Sequence, residues 1–320
     1  MNKTTGKVLS LGRKINRNIF HADIDIKISD TDFEFAGDSA SDLIKSKLLD
    51  QTPAMICRFG CFELNCVANY INPHRPFYKN AFDFIKGRIN YFWWAKIFDN
   101  MSINAGFFPV NYPMIENFCK LMLDDMRYVD VLGSWLKEES LFQKELSQAI
   151  KINLSDLEPF NHKNPWSEAL KDKTVLVIHP FEESIKMQYL KRSYLFDDQR
   201  MLPDFELKTI KAVQSIANNK TDFPDWFSAL DFMKDKVTDT EFDIAIIGCG
   251  AYGFPLAAHV KRLGKKAIHL GGATQLLFGI KGKRWEEQKY ISQLINSYWV
   301  NPLPSEYPQN FNKVEKGCYW

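Results

Sequence analysis

The sequence lacks an apolar run long enough to form a membrane-spanning helix. Such a helix needs about 18 or more apolar residues without charges, and no such run occurs. The first residues, MNKTTGKVLSLGRKINRN, are basic but lack the apolar core of a signal peptide. We therefore expect a cytoplasmic protein without a transmembrane segment. Peripheral association of this basic end with the anionic inner face of the cell membrane is left as an open alternative.

The chain also lacks a large net charge and any ordered spacing of metal-binding side chains. Its formal net charge is +2 with 25% charged residues, which provides no general basic field for nucleic acid. The six cysteines and six histidines have neither the spacing of a disulfide framework nor that of a zinc site. We expect the cysteines to be reduced, as they are in cytosolic proteins.

Three common catalytic signatures are missing as well. The chain contains no G-x-S-x-G, no H-E-x-x-H and no G-x-x-x-x-G-K-[ST]. These absences argue against a hydrolase nucleophile elbow, a zinc-protease helix and a phosphate-binding P-loop. The composition instead favours a thick core, because 45% of the 320 residues are hydrophobic and 14% are aromatic.

The most informative stretch runs from 242 to 272, FDIAIIGCGAYGFPLAAHVKRLGKKAIHLGG. Its pattern predicts a buried strand, a glycine loop, a helix and a second strand. Gly248, Gly250 and Gly253 form a complete G-x-G-x-x-G between the first strand and the helix. Backbone amides in such a loop, with a helix N-terminus behind them, bind phosphate. We therefore predict a site for a nucleotide or another phosphorylated ligand.

The acidic residue that binds ribose in dinucleotide folds is missing after the second strand. That residue is expected about 20 positions after the glycines, but the strand ends IHLGG and the next acids are Glu286 and Glu287. The unit also lies late in the chain, whereas a dinucleotide domain more often begins with it. We therefore predict diphosphate contacts from His269, Gly271 and Gly272 and expect no NAD.

A second strand-to-helix junction lies in the first half of the chain. The apolar run from 54 to 59 ends near Arg58 and Gly60, and a helical pattern follows from 61 to 71 with Glu63 in its first turn. Ligands bind at the carboxyl ends of strands in open α/β sheets. We therefore predict that Arg58 and Gly60 bind a ligand. The alternative is an Arg–Glu pair that only holds the junction together.

Two further strands are followed by residues that could act on a ligand. His179 ends the apolar run from 173 to 178, and the alternative is a capping or core histidine. Glu138 and Glu139 follow the predicted strand from 128 to 135, and the alternative is a solvated helix start. Both glutamates and the histidine lie past the carboxyl end of a strand, where ligand-binding side chains are common.

Three cations alternate with glycine shortly after the 242–272 stretch, in GIKGKRW. Lys281, Lys283 and Arg284 can neutralise a diphosphate, and arginine can do so with two parallel hydrogen bonds. The alternative is a solvated charged surface.

The order of the elements predicts an α/β fold with a Rossmann-like, mostly parallel sheet and helices on both faces. We expect an N-terminal tail (1–35), an α/β half with aromatic helices (36–165) and a Rossmann-like nucleotide-binding half (166–320), closely packed as two domains or as one. The tail is expected to contain at most a short strand near 23–28. The predicted helices include 39–49, 113–126, 225–237 and 254–263, and the predicted strands include 205–213, 243–247 and 266–270.

Two stretches resemble bacterial glycosyltransferases of the GT-D fold. RFGCFE at 58–63 is similar to the R-[FY]-G-D-G-E signature of that family, and 247–272 is similar to its closing glycine loop, helix and strand. The whole chain also resembles a group of proteins found with surface-polysaccharide genes, through VIHPF at 177–181, FGIKGKRW at 278–285 and GCYW at 317–320.

This resemblance implies a GT-D-like fold and a transferase that uses a nucleotide-sugar donor and a glycan or lipid-linked acceptor. It implies a role in capsular or O-antigen polysaccharide synthesis. In the family, an Asp-x-Glu pair helps bind Mn²⁺ or Mg²⁺ and the diphosphate. Here Glu63 matches the glutamate, but Cys61 occupies the aspartate position, and a thiol is a poor ligand for these metals.

Without a metal, the diphosphate charge would fall to the cations Arg58, Lys281, Lys283 and Arg284. If the reaction inverts the sugar configuration, a general base is required. Its candidates are Glu63, Glu139 and His179. Two other hypotheses stay open: an oxidoreductase or other enzyme acting on a nucleotide-linked sugar, and a non-catalytic nucleotide-sugar binding protein of the same pathway.

Overall fold

The computed structural model describes residues 3–19, 33–71, 77–87 and 94–320. Their architecture is α/β, with a seven-stranded sheet in which every pair of neighbouring strands is parallel. The predicted Rossmann-like fold class is therefore confirmed.

The sheet draws its strands from the whole length of the chain. The strands are β1 (Ala54–Cys57), β2 (Val131–Ser134), β3 (Ile150–Asn153), β4 (Thr174–His179), β5 (Glu206–Lys211), β6 (Ile244–Ile247) and β7 (Lys266–His269). Their order in space is β3-β2-β1-β7-β6-β4-β5. The first strand therefore pairs with the last, with Ile56 opposite Ile268.

The central strands are buried on both faces, which explains their continuous apolar sequences. In β1, Met55 belongs to one core cluster and Ile56 to the other, because successive side chains point to opposite faces. The same alternation separates Leu176 from Val175 in β4. Two hydrophobic cores therefore cover the two faces of one sheet.

Helices complete both layers. They are α1 (Lys3–Ile19), α2 (Asp38–Leu49), α3 (Cys61–Ile71), α4 (Phe77–Ile85), α5 (Trp94–Ile103), α6 (Tyr112–Asp125), α7 (Glu182–Tyr189), α8 (Trp226–Thr238), α9 (Gly253–Arg262) and the short α10 (Thr274–Leu277), α11 (Lys283–Glu286) and α12 (Lys289–Ser292). Side-chain caps start two of them: Asn111 accepts from the Met114 amide at 3.1 Å, and Asp225 accepts from the Ser228 amide at 2.8 Å. Helix α9 is followed by Gly264 at φ +79°, a left-handed conformation that glycine adopts without strain.

Three features depart from the predicted elements. Much of the expected N-terminal tail is helix α1, whose apolar residues are largely exposed and so gave no buried periodic pattern. Strand β3 was not predicted, because its four residues alternate lysine and asparagine with isoleucine at the edge of the sheet. The strand expected near 23–28 and part of the predicted aromatic helices lie outside the described residues.

The strand order fixes where a ligand can bind. From β1 the chain moves outward to β2 and β3, whereas β7 lies on the other side of β1. Loops that leave β1 and β7 therefore run to opposite sides and open a crevice at the carboxyl edge, as in other doubly wound sheets.

Candidate functional site

A cavity of about 550 Å³ lies at this carboxyl edge. Loops that follow all seven strands contribute to its lining. It brings together most of the residues predicted from the sequence: Arg58, Gly60, Glu63, His179, Gly248, Gly250, His269, Gly271, Gly272 and Arg284. Gly253, Glu139, Lys281 and Lys283 are not among the lining residues.

The three glycines of the G-x-G-x-x-G loop serve different purposes. A Cβ at Gly248 would lie 2.6 Å from the Gly271 carbonyl oxygen, so this glycine lets the β6 and β7 loops approach each other. Gly250 has φ +57° and open space beside it. A Cβ at Gly253 would lie 2.5 Å from His269 Nδ1, so this glycine seats the imidazole. Only Gly248 and Gly250 line the cavity itself.

Two short turns present backbone amides at the ends of neighbouring strands. One 3-10 turn covers Gly250–Tyr252 after β6, and the other covers Gly271–Ala273 after β7. The first amides of a helical turn have no partner inside the turn. In the part of the chain that the structure describes, the amides of 249–251 and 271–273 donate to no protein acceptor. Paired turns of this kind are suited to bind phosphate oxygens.

Arg58 lies against the second of these turns. A Cβ on Gly271 would lie 3.4 Å from Arg58 Cδ and from Nη1. The guanidinium donates through Nε and Nη2 to the Phe59 carbonyl oxygen, at 3.0 and 2.9 Å, and stacks on the Trp135 ring at 4.7 Å. Trp135 donates its own Nε1 to the same carbonyl at 3.0 Å.

Arg58 makes no ion pair with any described residue. The alternative that Arg58 and Glu63 form a pair to hold the junction together is therefore wrong. Burial lowers the pKa of Arg58 from its usual value, but a guanidinium keeps its charge in proteins. A largely buried cation without a carboxylate partner, beside unpaired amides, is the arrangement expected of an anion site.

Glu63 lies in the first turn of α3 with only 8% of its surface exposed. Its carboxylate occupies the space beside Gly60, where any side chain would collide with Oε2. Burial raises the pKa of Glu63 above its usual range. The sequence prediction of Gly60 as a site residue thus acquires a physical reason, because the glycine makes room for this carboxylate.

The residues around Glu63 do not suit Mn²⁺ or Mg²⁺. Burial raises the pKa of the Cys61 thiol to about 12, so the thiol stays protonated and neutral. No group of three or more histidine, cysteine, aspartate or glutamate side chains positioned to hold a metal occurs among the described residues. The two predicted ligands therefore form an incomplete and poorly matched donor set.

His179 is buried at the end of β4, and its tautomer follows from its neighbours. Nδ1 accepts a hydrogen bond from the Phe181 amide at 3.0 Å, so the ring proton is on Nε2. Burial lowers the pKa of His179 to about 3, which keeps the ring neutral. Nε2–H has no acceptor among the described residues and is available to the cavity. This geometry suits a hydrogen-bond donor and does not suit the predicted general base.

His269 has the opposite tautomer. Its Nδ1 lies 3.1 Å from the Ile247 carbonyl oxygen and must donate to it, which leaves Nε2 unprotonated. Burial, together with the charge of Arg58, lowers the pKa of His269 to about 4. The cavity wall thus contains one neutral imidazole that donates and one that accepts.

Glu139 has a local role that its position in the sequence does not reveal. It is 1% exposed, and its carboxylate accepts from the amides of Trp135 and Leu136, both at 3.0 Å, and from the Ser134 hydroxyl. Its oxygens hold the loop that carries Trp135. Glu138 is also 1% exposed, so the alternative of a solvated helix start is wrong for both residues.

The three predicted diphosphate cations are separated in the structure. Arg284 lines the cavity and donates through Nη1 to the Tyr319 hydroxyl at 3.1 Å while pairing with Glu315. Lys281 pairs with Glu286 at 2.9 Å, and Lys283 is exposed. A lysine two positions along the chain is directed elsewhere because α11 begins at Lys283.

Sequence reasoning missed an acidic residue of the cavity, Glu158. It follows a turn after the unpredicted strand β3, and burial raises its pKa to about 7. Its Oε2 accepts from the Tyr290 hydroxyl at 3.3 Å. No motif surrounds Glu158 in the sequence, so only the prediction of β3 could have placed it at the carboxyl edge.

Comparison of the chain with family models, with curated proteins and with solved structures gave no match.

Proposed function

We propose that the protein is a glycosyltransferase that uses a nucleotide-sugar donor in bacterial surface-polysaccharide synthesis. The observation that carries this proposal is Arg58, a largely buried and unpaired cation beside two turns of free amides. A nucleotide-sugar presents a diphosphate, whose oxygens match such donors. The resemblance of 58–63 and 247–272 to GT-D enzymes supports the choice of a sugar nucleotide over other diphosphates.

The proposed reaction needs charge stabilisation at the diphosphate. An acceptor hydroxyl oxygen attacks the anomeric carbon, the bond from that carbon to the diphosphate oxygen breaks, and the diphosphate leaves with the electron pair. Arg58 and the amides of both turns stabilise the charge that develops on the leaving group. The Nε2–H of His179 adds a neutral donor in the same cavity.

The hydroxyl proton requires an acceptor if the attack is direct. Glu158 and Glu63 are the carboxylates of the cavity that suit this task, since each is shielded from water and has a raised pKa. A carboxylate with a pKa near neutrality both holds and releases a proton at physiological pH. Glu63 also remains a candidate for orienting the sugar.

The test begins with binding. Nucleoside diphosphates and nucleotide-sugars are titrated into the protein while the unfolding temperature is recorded, with and without Mn²⁺, because a ligand of the native state raises that temperature. A panel of nucleotide-sugars with glycan acceptors is then assayed for release of the nucleoside diphosphate. Glu63→Gln should bind the donor and lose transfer, with Glu286→Gln as an exposed control.

A second candidate is a protein that binds nucleotide-sugars without transferring them. The neutral thiol of Cys61, where the GT-D family has a metal-binding aspartate, favours it. Donor binding without transfer or hydrolysis across the panel would select this candidate. No binding of any nucleoside diphosphate would reject both.

A further inference from the structure

Helix α1 exposes an apolar stripe on its outer side. Val8, Leu11 and Ile15 are 63%, 59% and 44% exposed. Their spacing of three and four residues places them along one side of the helix. Exposed aliphatic residues in such a stripe are uncommon on soluble surfaces and indicate an interaction.

The inner side of α1 attaches it to the rest of the fold. Leu9 is 7% exposed and packs with Ala81 and Phe84 of α4. A Cβ on Gly12 would lie 3.3 Å from Ile85, so this glycine allows close approach of the two helices. Because α1 is held on this side, its apolar stripe is an outer surface and does not belong to the core.

Cations border the stripe. Helix α1, KTTGKVLSLGRKINRNI, contains lysines and arginines and no acidic residue. The exposed Lys7, Lys14 and Arg17 form no ion pair with a described residue. An apolar stripe beside uncompensated cations is the pattern of a helix that lies in a membrane interface.

Helix α4, packed against α1, adds aromatic side chains. Tyr78, Phe77 and Phe82 are 67%, 57% and 51% exposed, and the exposed Lys79 lies between them in sequence. Lys86 lies over the Phe82 ring, with its Nζ 5.6 Å from the ring centroid. Aromatic rings with adjacent lysines are favoured at the level of lipid headgroups.

We propose that α1 and α4 form a docking surface for an anionic phospholipid bilayer. Val8, Leu11 and Ile15 enter the boundary between headgroups and acyl chains, while Lys7 and Lys14 contact lipid phosphates. The charge selects a lipid surface over a second copy of this chain, since two copies would bring the same cations together. The proposal concerns a partner and does not depend on transferase activity.

The docking surface adjoins the cavity through one turn, Lys137–Phe142. Leu141 packs beside Leu9 and the α4 residues, and the Lys137 ammonium donates to the Gly87 carbonyl at the end of α4. Glu139 of the same turn holds the loop of Trp135, which stacks on Arg58. A bilayer bound by α1 and α4 would therefore lie near the cavity side of the sheet.

The test is co-sedimentation of the full chain with vesicles. Wild-type protein should sediment with phosphatidylcholine vesicles that contain phosphatidylglycerol, and binding should weaken as salt rises. It should sediment much less with phosphatidylcholine alone. The double variant Leu11→Glu, Ile15→Glu should lower the partition coefficient by about tenfold or more, because two carboxylates replace buried aliphatic groups.

Two controls keep the test decisive. Leu49→Glu alters an equally exposed leucine, 52% exposed, on α2 and should leave binding unchanged. Lys7→Glu, Lys14→Glu keeps the apolar stripe intact and should also lose binding to phosphatidylglycerol. The proposal is overturned if wild type ignores anionic vesicles, if both double variants bind as wild type does, or if the variants only dissociate a dimer. Nucleoside diphosphate binding, measured without vesicles, reports separately on the proposed function.

Discussion

Arg58 carries its charge into the cavity wall without a carboxylate to balance it. Such a group costs folding free energy, because desolvation of the guanidinium is compensated only by one carbonyl and the face of Trp135. The Phe59 carbonyl would still accept from Trp135 Nε1 if the arginine were removed. The residue is therefore better explained by ligand binding than by stability.

We expect Arg58→Met to separate these two roles. The variant should unfold with a free energy equal to wild type or about 1 kcal/mol higher, because a hydrophobic side chain replaces an unpaired buried cation. Its affinity for a nucleoside diphosphate should fall by about tenfold or more, since charge-assisted hydrogen bonds are lost. Urea unfolding and calorimetric titration measure the two quantities. Arg127→Met, at a 65% exposed arginine, is the control and should change neither. A large loss of stability in Arg58→Met with intact affinity would contradict this explanation.

The two cavity histidines link stability to pH. The pKa of His179 is lowered to about 3 and that of His269 to about 4, whereas an unfolded histidine titrates near 6.5. Between these values the unfolded chain binds more protons than the native protein. Stability is therefore full above about pH 6.5 and is lost as the pH falls toward 4.

His179→Asn tests this linkage. The asparagine oxygen can accept from the Phe181 amide as Nδ1 does. Each such histidine contributes a slope of about 1.4 kcal/mol per pH unit below its unfolded pKa, so the variant should lose about that much slope. Urea unfolding from pH 5 to 6.2 gives the measurement, above the range in which most carboxylates titrate. An unchanged slope would mean that His179 is protonated in the native state.

At the scale of elements, the β6–α9–β7 unit was the part most fully predictable from the sequence. Its strands and helix fall within a residue or two of the predicted bounds, because glycines punctuate an uninterrupted apolar pattern. The contact of Gly253 with His269 was not predictable, since it depends on how closely α9 packs against the end of β7. Strand β3, and with it Glu158, was missed because an edge strand has little apolar sequence.

Gly253→Ala should disturb the site through His269. The added methyl group would meet Nδ1 at 2.5 Å, and either the imidazole or α9 must move. We expect a loss of about 1–3 kcal/mol in the free energy of unfolding, as for other overpacked cores, together with weaker nucleoside diphosphate binding. Gly264→Ala is the matched control: it introduces strain of about 1 kcal/mol at φ +79° with open space around it, and should leave binding unchanged. Equal affinities for both variants would argue against a role for the His269 position in binding.

For the whole molecule, the central fact is that the first strand pairs with the last. Sequence order predicts that β4 to β7 form one parallel unit, but it gives no local signal for the pairing of β1 with β7. That pairing brings Arg58 beside Gly271, and it merges the two predicted halves into one sheet. Each hydrophobic core also contains residues of both halves, such as Phe118 with Trp226 and Ile44 with Phe278.

This architecture predicts that residues 36–165 and 166–320 unfold together. Separating β1 from β7 would break a ladder at the centre of the sheet and expose both cores to water, so no half retains a complete core. Hydrogen exchange measured by mass spectrometry in increasing urea should show peptides that contain β1 and β7 losing protection over the same range of denaturant. Far-UV circular dichroism and tryptophan fluorescence should give coincident transitions. Loss of protection in 36–165 while β4 to β6 stay protected would contradict this, and would mean that the nucleotide-binding half is stable without the strand that supplies Arg58.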